Sequence, residues 1–279
     1  MSGVLYVAAT PIGNLNDASA RLREVLASAG TILAEDTRRS GRLLQQFGLK
    51  KPLLALHDHN ESAASEPLVA RMLAGETFAL ISDAGTPAIS DPGYHLIRAA
   101  RTACVAVVPI PGPSAVIAAL SACGLPTDRF CFEGFLPAKS VARRSALTTL
   151  AAETRTMVLF ESVHRVEDCL RDCVDLIGEM RDAAIARELT KLHEQIVTGT
   201  LASLLQQVAT GGIPLKGEFV LIIAGAPETD GSSDEGQRLL ASLLDAGIPL
   251  KEAARAAADV TGARRNALYQ FGLTLKSAG

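Results

Sequence analysis

The feature that most constrains the fold is a regular alternation of short apolar runs with longer helical patterns through the first half of the chain. Short runs rich in β-branched and aliphatic residues predict strands, and the amphipathic stretches between them predict helices. The predicted strands are Val4–Ala8, Thr31–Ala34, Leu53–Leu56, Phe78–Ile81 and Val105–Val108. The predicted helices are Ala18–Ala29, Arg38–Phe47, Ser62–Ala74, Tyr94–Arg101 and Ser114–Ala122. Such alternation predicts βα units around a mostly parallel sheet, which places the chain in the α/β class.

The pattern restarts after Gly124-Leu125-Pro126, which predicts a second α/β domain. Its predicted strands are Phe130–Phe132, Thr156–Phe160, Ala183–Arg187, Gln195–Thr198 and Phe219–Ala224, and its predicted helices are Ser140–Ala152, Val166–Ile177 and Leu201–Val208. The polar, acidic segment 227–236 is typical of a linker. We therefore expect an N-terminal α/β domain over residues 1–122, a second over 123–226, the linker, and a helical segment over 237–279.

Composition excludes several classes of protein. Hydrophobic residues make up 48% and charged residues 20%, which is typical of a globular chain and not of a disordered one. The formal charge of -3 argues against nucleic-acid binding through net charge, so any such binding must use a local patch. No stretch is long and uncharged enough to span a membrane, and we expect a soluble, cytoplasmic protein. The five scattered cysteines predict neither a disulfide framework nor a metal site, and we expect them to be reduced and mostly buried.

Five loops that follow the predicted strands are rich in Gly, Pro and small polar residues. Because the carboxyl ends of parallel strands share one edge of a sheet, these loops should together form the floor of a ligand site. They are 10–14, 35–38, 57–61, 82–87 and 109–114. Each has a plainer explanation when taken alone: Gly and Pro set turn geometry, Asp36 or Thr37 and Asp83 cap turns or helices, and His57 with His59 forms a surface pair.

Two familiar phosphate-binding patterns are missing from the sequence. No GxGxxG follows the first strand, and no GxxxxGK[ST] occurs anywhere. Neither a standard dinucleotide fold nor a Walker nucleotide site is therefore supported.

A series of motifs resembles one enzyme family over essentially the whole chain. In order these are TPIGN, AEDTR, HDHNE, SDAGTPAISDPG, PIPGPSA, FESVHR, RELTK and KGEFVLII. They are similar to the bacterial RsmI family of ribosomal RNA small-subunit cytidine 2′-O-methyltransferases, within the tetrapyrrole methylase-like (class III) superfamily. The resemblance implies two α/β domains that hold S-adenosylmethionine in the cleft between them, and a homodimer. It also implies methylation of a decoding-centre cytidine in 16S rRNA, with the RNA or the small ribosomal subunit as partner.

The residues suit a site for that methyl donor. The loop from Asp83 to Pro87 offers an acid, backbone amides and the Thr86 hydroxyl, and Ser114 at a predicted helix N-terminus adds a donor for the carboxylate. The predicted donor site also includes Pro11, Gly85 and Ala115. By the resemblance, Phe160, Leu189 and Gly217 form the opposite wall.

Candidates for taking the proton from the ribose hydroxyl are Asp36, His59, Glu61 and Lys191. Arg38 and Asn60 are expected to position the nucleotide. Lys191 has an alternative as an ordinary ion-pair partner of Glu188 or Glu194. A base need take the proton only late in an in-line displacement, so positioning and exclusion of water should do most of the work.

The last segment carries a local excess of positive charge. Three helical patterns are predicted at Arg238–Asp245, Leu250–Val260 and Arg264–Phe271, and the turn at Thr261-Gly262 resembles a helix-turn-helix. We expect Arg264 and Arg265 to contact RNA phosphates. The alternative is a helical appendage that packs on the body or on a partner subunit.

Three functions follow from these patterns. An RNA ribose methyltransferase is the leading hypothesis, because the last segment and the HDHNE loop favour RNA. A small-molecule methyltransferase acting on a tetrapyrrole would share the core architecture. A non-catalytic RNA-binding assembly factor would keep the fold and bind little or no methyl donor.

Overall fold

The computed structural model describes residues 2–227 and 231–277 and contains two sheets, each of five strands. The first sheet is parallel throughout, with strand order β3-β2-β4-β1-β5. Its strands are β1 Val4–Ala8, β2 Thr31–Ala34, β3 Leu53–Ala55, β4 Phe78–Ile81 and β5 Ala106–Ile110. The predicted α/β class is confirmed.

The end of β5 differs from the sequence-based expectation, which stopped at Val108. The strand continues through Pro109 to Ile110, and these residues pair with Val7 and Ala8 of β1. Proline has no backbone N–H and is tolerated in edge strands, where one side of the strand has no neighbour to bond. Since β5 lies at the edge of the sheet, Pro109 can be part of it.

Helices cover both faces of the first sheet. They are α1 Ala20–Ser28, α2 Thr37–Gln46, α3 Glu61–Leu73 and α4 Tyr94–Thr102. One core lies between the sheet and α3 with α4, and includes Leu5, Leu68 and Leu96; the other lies under α1 and α2. The site loops therefore rest on a sheet that is buried on both sides, as parallel sheets are.

The second sheet is mixed, with strand order β6-β7-β10-β8-β9. Its strands are β6 Phe130–Phe135, β7 Thr156–Ser162, β8 Asp182–Arg187, β9 Gln195–Thr200 and β10 Glu218–Ile223. Strands β6 and β7 run parallel, and the other neighbours are antiparallel. One face packs on helices α6 Ser140–Leu150, α7 Val166–Ile177 and α8 Leu201–Ala209.

The other face of the second sheet is covered by a helix from the first half of the chain. Helix α5, Ala115–Ala122, places Val116, Ala119 and Leu120 in a core with Val158 of β7 and Val220 of β10. Both sheets consequently belong to one compact unit, made of residues 1–151 and 155–224. The division expected at residue 122 falls at the end of α5 and remains a prediction.

The second compact unit comprises residues 152–154 and 225–279. Its helices are α9 Gly231–Asp245, α10 Leu250–Thr261 and α11 Arg265–Ser277. Leu240, Ala253 and Leu268 lie in their common core, and Gly262 ends α10 in the left-handed conformation that glycine adopts most readily. Part of the predicted linker, residues 228–230, lies outside the described residues, and α9 begins at Gly231.

Further sequence-based expectations concern cysteines, metals and membranes. No disulfide joins any of the five cysteines, all of which lie in the described part of the chain, and Cys123, Cys169 and Cys173 are buried. Within residues 2–227 and 231–277 there is no group of three or more His, Cys, Asp or Glu side chains placed to hold a metal ion. In the same part of the chain, no helix combines the length and apolar character needed to cross a membrane.

Candidate active site

A cavity of about 460 Å³ lies where the carboxyl edge of the first sheet meets strands β6, β7 and β10 of the second. Its size is within the roughly 300–1,000 Å³ typical of small-molecule sites. Seven of the nine residues predicted to bind the methyl donor line it: Asp83, Gly85, Thr86, Ser114, Ala115, Phe160 and Gly217. Pro11 and Leu189 are not among the lining residues; Leu189 is buried in the core that α5 shares with the second sheet.

The loop after β4 forms the floor of the cavity and is held rigidly. Gly85 and Thr10 exchange two backbone hydrogen bonds of 2.8 and 3.1 Å, so the loops after β4 and β1 are joined. The Thr86 hydroxyl donates to the carbonyl of Pro113 at 3.3 Å, which ties in the loop after β5. Three loops that the sequence places on one edge are thus linked directly.

Asp83 connects this floor to the N-terminus of α2. Its Oδ2 pairs with the Arg39 guanidinium at 3.0 Å, and its Oδ1 accepts the backbone N–H of Asp36 at 3.2 Å. Asp83 therefore keeps a fixed position on the wall. Sequence reasoning missed Arg39, although it follows directly after the AEDTR motif.

Two further acids line the cavity, and sequence reasoning assigned neither a role. Burial raises the pKa of Glu35, and the nearby charges of Asp83 and Asp58 raise it further, with Arg39 opposing. Burial likewise raises the pKa of Asp91 to about 6, with the charges of Glu35 and Asp83 adding to the effect. The signal for Glu35 was its place directly after a buried strand, and Asp91 lay within the quoted SDAGTPAISDPG motif.

The opposite wall is aromatic. Phe160 packs edge-to-face with Phe132 and Phe135, at centroid distances of 4.8 and 5.6 Å. Glu161 beside it also lines the cavity, with a side chain only 1% exposed that pairs with Arg165 at 3.1 Å. The edge-to-face rings and the neighbouring carboxyl group give this wall an apolar surface next to a polar one, as in many small-molecule sites.

Gly217 completes this wall and is a glycine for steric reasons. Its φ of +88° lies in the left-handed region, and a Cβ there would collide with the Glu188 carboxyl group. Glu188 is held by Lys191 at 2.7 Å and by the backbone N–H of Glu218 at 3.0 Å.

The residues predicted to act on the ribose do not line the cavity. Asp36 is the N-cap of α2 and accepts from the backbone N–H of Arg38 at 2.8 Å, while its second oxygen pairs with the Arg38 guanidinium. Hydrogen bonds from Arg38 hold the pKa of Asp36 well below its usual range. Of the two caps that the sequence left open, the structure shows Asp36.

The HDHNE loop divides into exposed and structural residues. His59 is exposed, with its ring centroid 6.0 Å from that of His57. The Asn60 side chain closes the loop on itself, accepting from the His57 N–H at 2.9 Å. Glu61 is 3% exposed and accepts the backbone N–H of Leu96 in the first turn of α4 at 3.0 Å. The Glu61 contact is of the kind that stabilises a helix N-terminus.

Lys191 makes two ion pairs, with Glu188 at 2.7 Å and Glu218 at 2.8 Å. Burial works to lower the pKa of Lys191, but the hydrogen bonds to these two carboxylates outweigh it and raise the pKa. The ordinary ion pair with Glu188 that the sequence suggested is thus present.

Arg264 and Arg265 are exposed at the start of α11, in the second compact unit. Their side chains face solvent within that unit. Their predicted role with RNA stays a prediction.

Comparison with known proteins identifies the relatives of this chain. The family described as Tetrapyrrole (Corrin/Porphyrin) Methylases matches residues 4–205, and the RsmI C-terminal HTH domain matches residues 230–276. A ribosomal RNA small subunit methyltransferase I from Xylella fastidiosa strain Temecula1 is 53% identical over 268 residues, covering 96% of this chain and 98% of its own. The protein of the same name from Escherichia coli O157:H7 is 52% identical, covering 97% and 95%. The chain belongs to this methyltransferase family.

Solved structures show the same fold at low identity. The methyltransferase CobJ matches with a TM-score of 0.57 at 19% identity, covering 81% of this chain and 95% of its own. A uroporphyrin-III C-methyltransferase from Thermus thermophilus, complexed with S-adenosylhomocysteine, matches with a TM-score of 0.54 at 17% identity, covering 80% and 97%. These solved structures thus share the fold of this chain, whose two sheets flank the cavity just described.

Proposed function

We propose that this protein transfers a methyl group from S-adenosylmethionine to the ribose 2′-hydroxyl of a cytidine in the decoding centre of 16S rRNA. The observation that carries the proposal is the identity of about half of all residues, over nearly the full length, with chains named ribosomal RNA small subunit methyltransferase I. The cytidine and its 2′-oxygen come from the resemblance of the sequence motifs. We expect the enzyme to act in the cytoplasm.

The cavity suits S-adenosylmethionine chemically. Its aromatic wall at Phe160 offers an apolar surface for the adenine, and the carboxylates of Glu35 and Asp83 favour a cationic sulfonium and amino group. Ser114, the N-cap of α5, stands at a helix N-terminus that attracts a carboxylate. The donor would supply an electrophilic methyl group on its sulfonium.

The chain's own contribution is to hold the reactants in place and to exclude water from them. The joined loops at Thr10, Gly85 and Pro113 fix the floor, and the packed phenylalanines remove water from one side. We expect Arg38, in the first turn of α2, and His59, just before α3, to contact the nucleotide outside the cavity, since both side chains are exposed. Asp36 then keeps Arg38 oriented through their ion pair.

The decisive experiment compares ribosomal RNA from cells with and without this protein by mass spectrometry. We expect one cytidine of 16S rRNA to lose a ribose methyl group in the deletion strain and to regain it when purified protein and S-adenosylmethionine are added to deficient small subunits. An unchanged methylation pattern would overturn the proposal. Supplying naked 16S rRNA in parallel identifies the form of the substrate.

The two other hypotheses are separated by binding measurements. The solved tetrapyrrole enzymes are 17–20% identical and share the fold alone, whereas the C-terminal domain match is to the RsmI family. A non-catalytic assembly factor would give no heat on calorimetric titration with S-adenosylmethionine.

We also propose a homodimer, and a monomer mass by light scattering across micromolar concentrations would contradict it.

A further inference from the structure

The carboxyl groups that line the cavity differ in whether a cation neutralises them. Asp83 pairs with Arg39, Glu161 with Arg165, and Glu218 with Lys191. In the described part of the chain, no ion pair is formed by either remaining acid, Glu35 or Asp91. A carboxylate engaged by a guanidinium or ammonium group is a poor proton acceptor, because the cation stabilises its charged form.

Asp91 stands apart from Glu35 by its surroundings. Arg39 acts on Glu35, whereas the strongest charge effects on Asp91 come from Glu35, Asp83 and Asp58, which are all negative. These acids reach Asp91 from the loops after β2, β3 and β4. A hydrogen bond with Ser82 is the opposing influence, and burial is the largest effect of all.

The backbone holds Asp91 in this place. Ala88 and Ser90, just before it, both adopt the left-handed conformation, with φ of +66° and +62°. Gly93, just after it, has φ of +138°, and a Cβ there would come within 2.9 Å of Leu80. Non-glycine residues with positive φ are uncommon and concentrate at functional sites, where the surrounding structure maintains them.

We propose that Asp91 is the group that accepts the proton of the ribose 2′-hydroxyl, an inference that rests on the proposed function. As the 2′-oxygen bonds to the methyl carbon, the bond from that carbon to sulfur breaks and its electron pair stays on sulfur, which becomes a neutral thioether. The hydroxyl proton passes to the Asp91 carboxylate and from there to solvent. Every atom and charge is then accounted for with S-adenosylmethionine as the sole co-reactant.

The state of Asp91 is measurable without any reaction. With a pKa near 6, its ionised form is disfavoured in the folded protein, so its charge destabilises the fold above that pH. We expect carbon NMR of the free protein to show the Asp91 carboxyl titrating near pH 6. We also expect Asp91→Asn to raise the melting temperature at pH 8, by an amount that shrinks as the pH falls below 6.

The kinetic test uses Asp91→Asn, Asp91→Glu and, as a matched control, Asp128→Asn, which removes an exposed acid from the loop between α5 and β6, away from the groups that act on Asp91. Single-turnover methylation by the native protein should slow below pH 6, and Asp91→Asn should lower the rate on the order of 10²-fold and abolish that slowing. Asp91→Glu should restore part of the rate. The rate of Asp128→Asn and the affinity of each variant for S-adenosylmethionine should stay close to native.

The outcomes separate this inference from the proposed function. If the native protein methylates RNA and Asp91→Asn does so at the native rate, Asp91 is not the acceptor. A rate loss with an unchanged pH profile, or with an equal loss of donor affinity, would likewise assign Asp91 to the architecture of the cavity. If the native protein methylates no RNA, the proposed function itself fails, whatever the NMR titration shows.

Discussion

At the scale of the residue, the pKa of each carboxyl group depends on whether a cation pairs with it. Asp36 and Asp83 are engaged by arginines on α2, and Glu188 by Lys191. Asp91 forms no ion pair within the described part of the chain, and burial raises its pKa to about 6. The carboxyl groups around the cavity therefore divide into those that a cation anchors and those whose pKa burial raises.

Gly217→Ala should destabilise the protein and weaken binding of S-adenosylmethionine. The new methyl group would meet the Glu188 carboxyl, which Lys191 and the Glu218 N–H hold in place, and the residue would keep a positive φ. We expect a loss of about 1–3 kcal/mol in the free energy of unfolding, measured by urea titration. Gly211→Ala is the matched control, because Gly211 has φ of +81° and no atom within 4 Å of the added Cβ. Equal losses in the two variants would show that the backbone angle matters and the Glu188 contact does not.

At the scale of the element, the sequence predicted most strands and helices because both faces of each sheet are buried. Runs such as Thr31–Ala34 and Phe78–Ile81 have every residue buried, so they stand out as continuous apolar segments. The motif loops after β1, β4 and β5 were predicted to meet because the carboxyl ends of parallel strands share one edge of a sheet. Two of the residues predicted to act on the ribose have structural hydrogen bonds instead. Asn60 closes its own loop by accepting the His57 N–H, and Glu61 accepts the Leu96 N–H of α4, 35 residues further along the chain. A contact across that separation, such as the one between Glu61 and α4, leaves no local pattern in the sequence.

Helices α6 and α7 are joined by a buried ion pair whose loss should be costly. Asp172 pairs with Arg143 at 2.7 Å and Arg144 at 2.6 Å, and the side chains of Asp172 and Arg143 are 9% and 6% exposed. Asp172→Asn leaves Arg143 buried without its counter-charge, so we expect a loss of about 3–5 kcal/mol in the free energy of unfolding. Asp175→Asn is the control, because Asp175 meets Arg144 with its side chain 51% exposed, and should cost under about 1 kcal/mol.

The same pair makes stability depend on pH in a defined direction. Burial alone would raise the pKa of Asp172, but the hydrogen bonds from Arg144 and Arg143 outweigh it and hold the pKa below its ordinary value. The stabilisation is therefore complete above the unfolded pKa near 4 and is lost as the pH falls from there through the lower pKa of the folded state. The difference in melting temperature between the native protein and Asp172→Asn should therefore narrow at the acid end of a series from pH 7 to 3. A constant difference across that range would contradict the assignment.

At the scale of the whole molecule, two compact units divide the chain, and the charges that suit RNA lie on both. The unit of two sheets carries Arg38 and Arg39 beside the cavity, and the helical unit carries Arg264 and Arg265. The sequence predicted a helical segment after the acidic stretch 227–236, and that boundary stays a prediction. The sequence does not indicate what the arginines of this segment bind, because an exposed basic turn has the same pattern whether it contacts RNA or solvent.

Replacing Arg264 and Arg265 by Ala should weaken RNA binding and flatten its dependence on salt, because fewer counterions are released when fewer phosphates are contacted. Binding of S-adenosylmethionine should be unchanged. Filter binding of a 16S rRNA fragment between 50 and 200 mM salt measures both affinity and slope, about two units of slope being the most that two arginines can contribute. The control is a double variant in which Arg98 and Arg101, exposed on α4, are replaced by Ala, because it removes the same two positive charges from another surface. Native affinity and slope in the Arg264/Arg265 variant would leave the helical unit with a packing role.

Helix α5 limits where the gene for this chain can be divided. Because α5 is made by the first half and packs beneath the second sheet, a gene fragment that starts at residue 123 encodes a sheet with one apolar face bare. Such a fragment should aggregate when expressed alone, whereas one that starts before Ser114 carries its own cover. Recombination between related genes at the apparent boundary between the two halves would thus yield insoluble proteins. The two halves must be exchanged together, or α5 must stay attached to the second half.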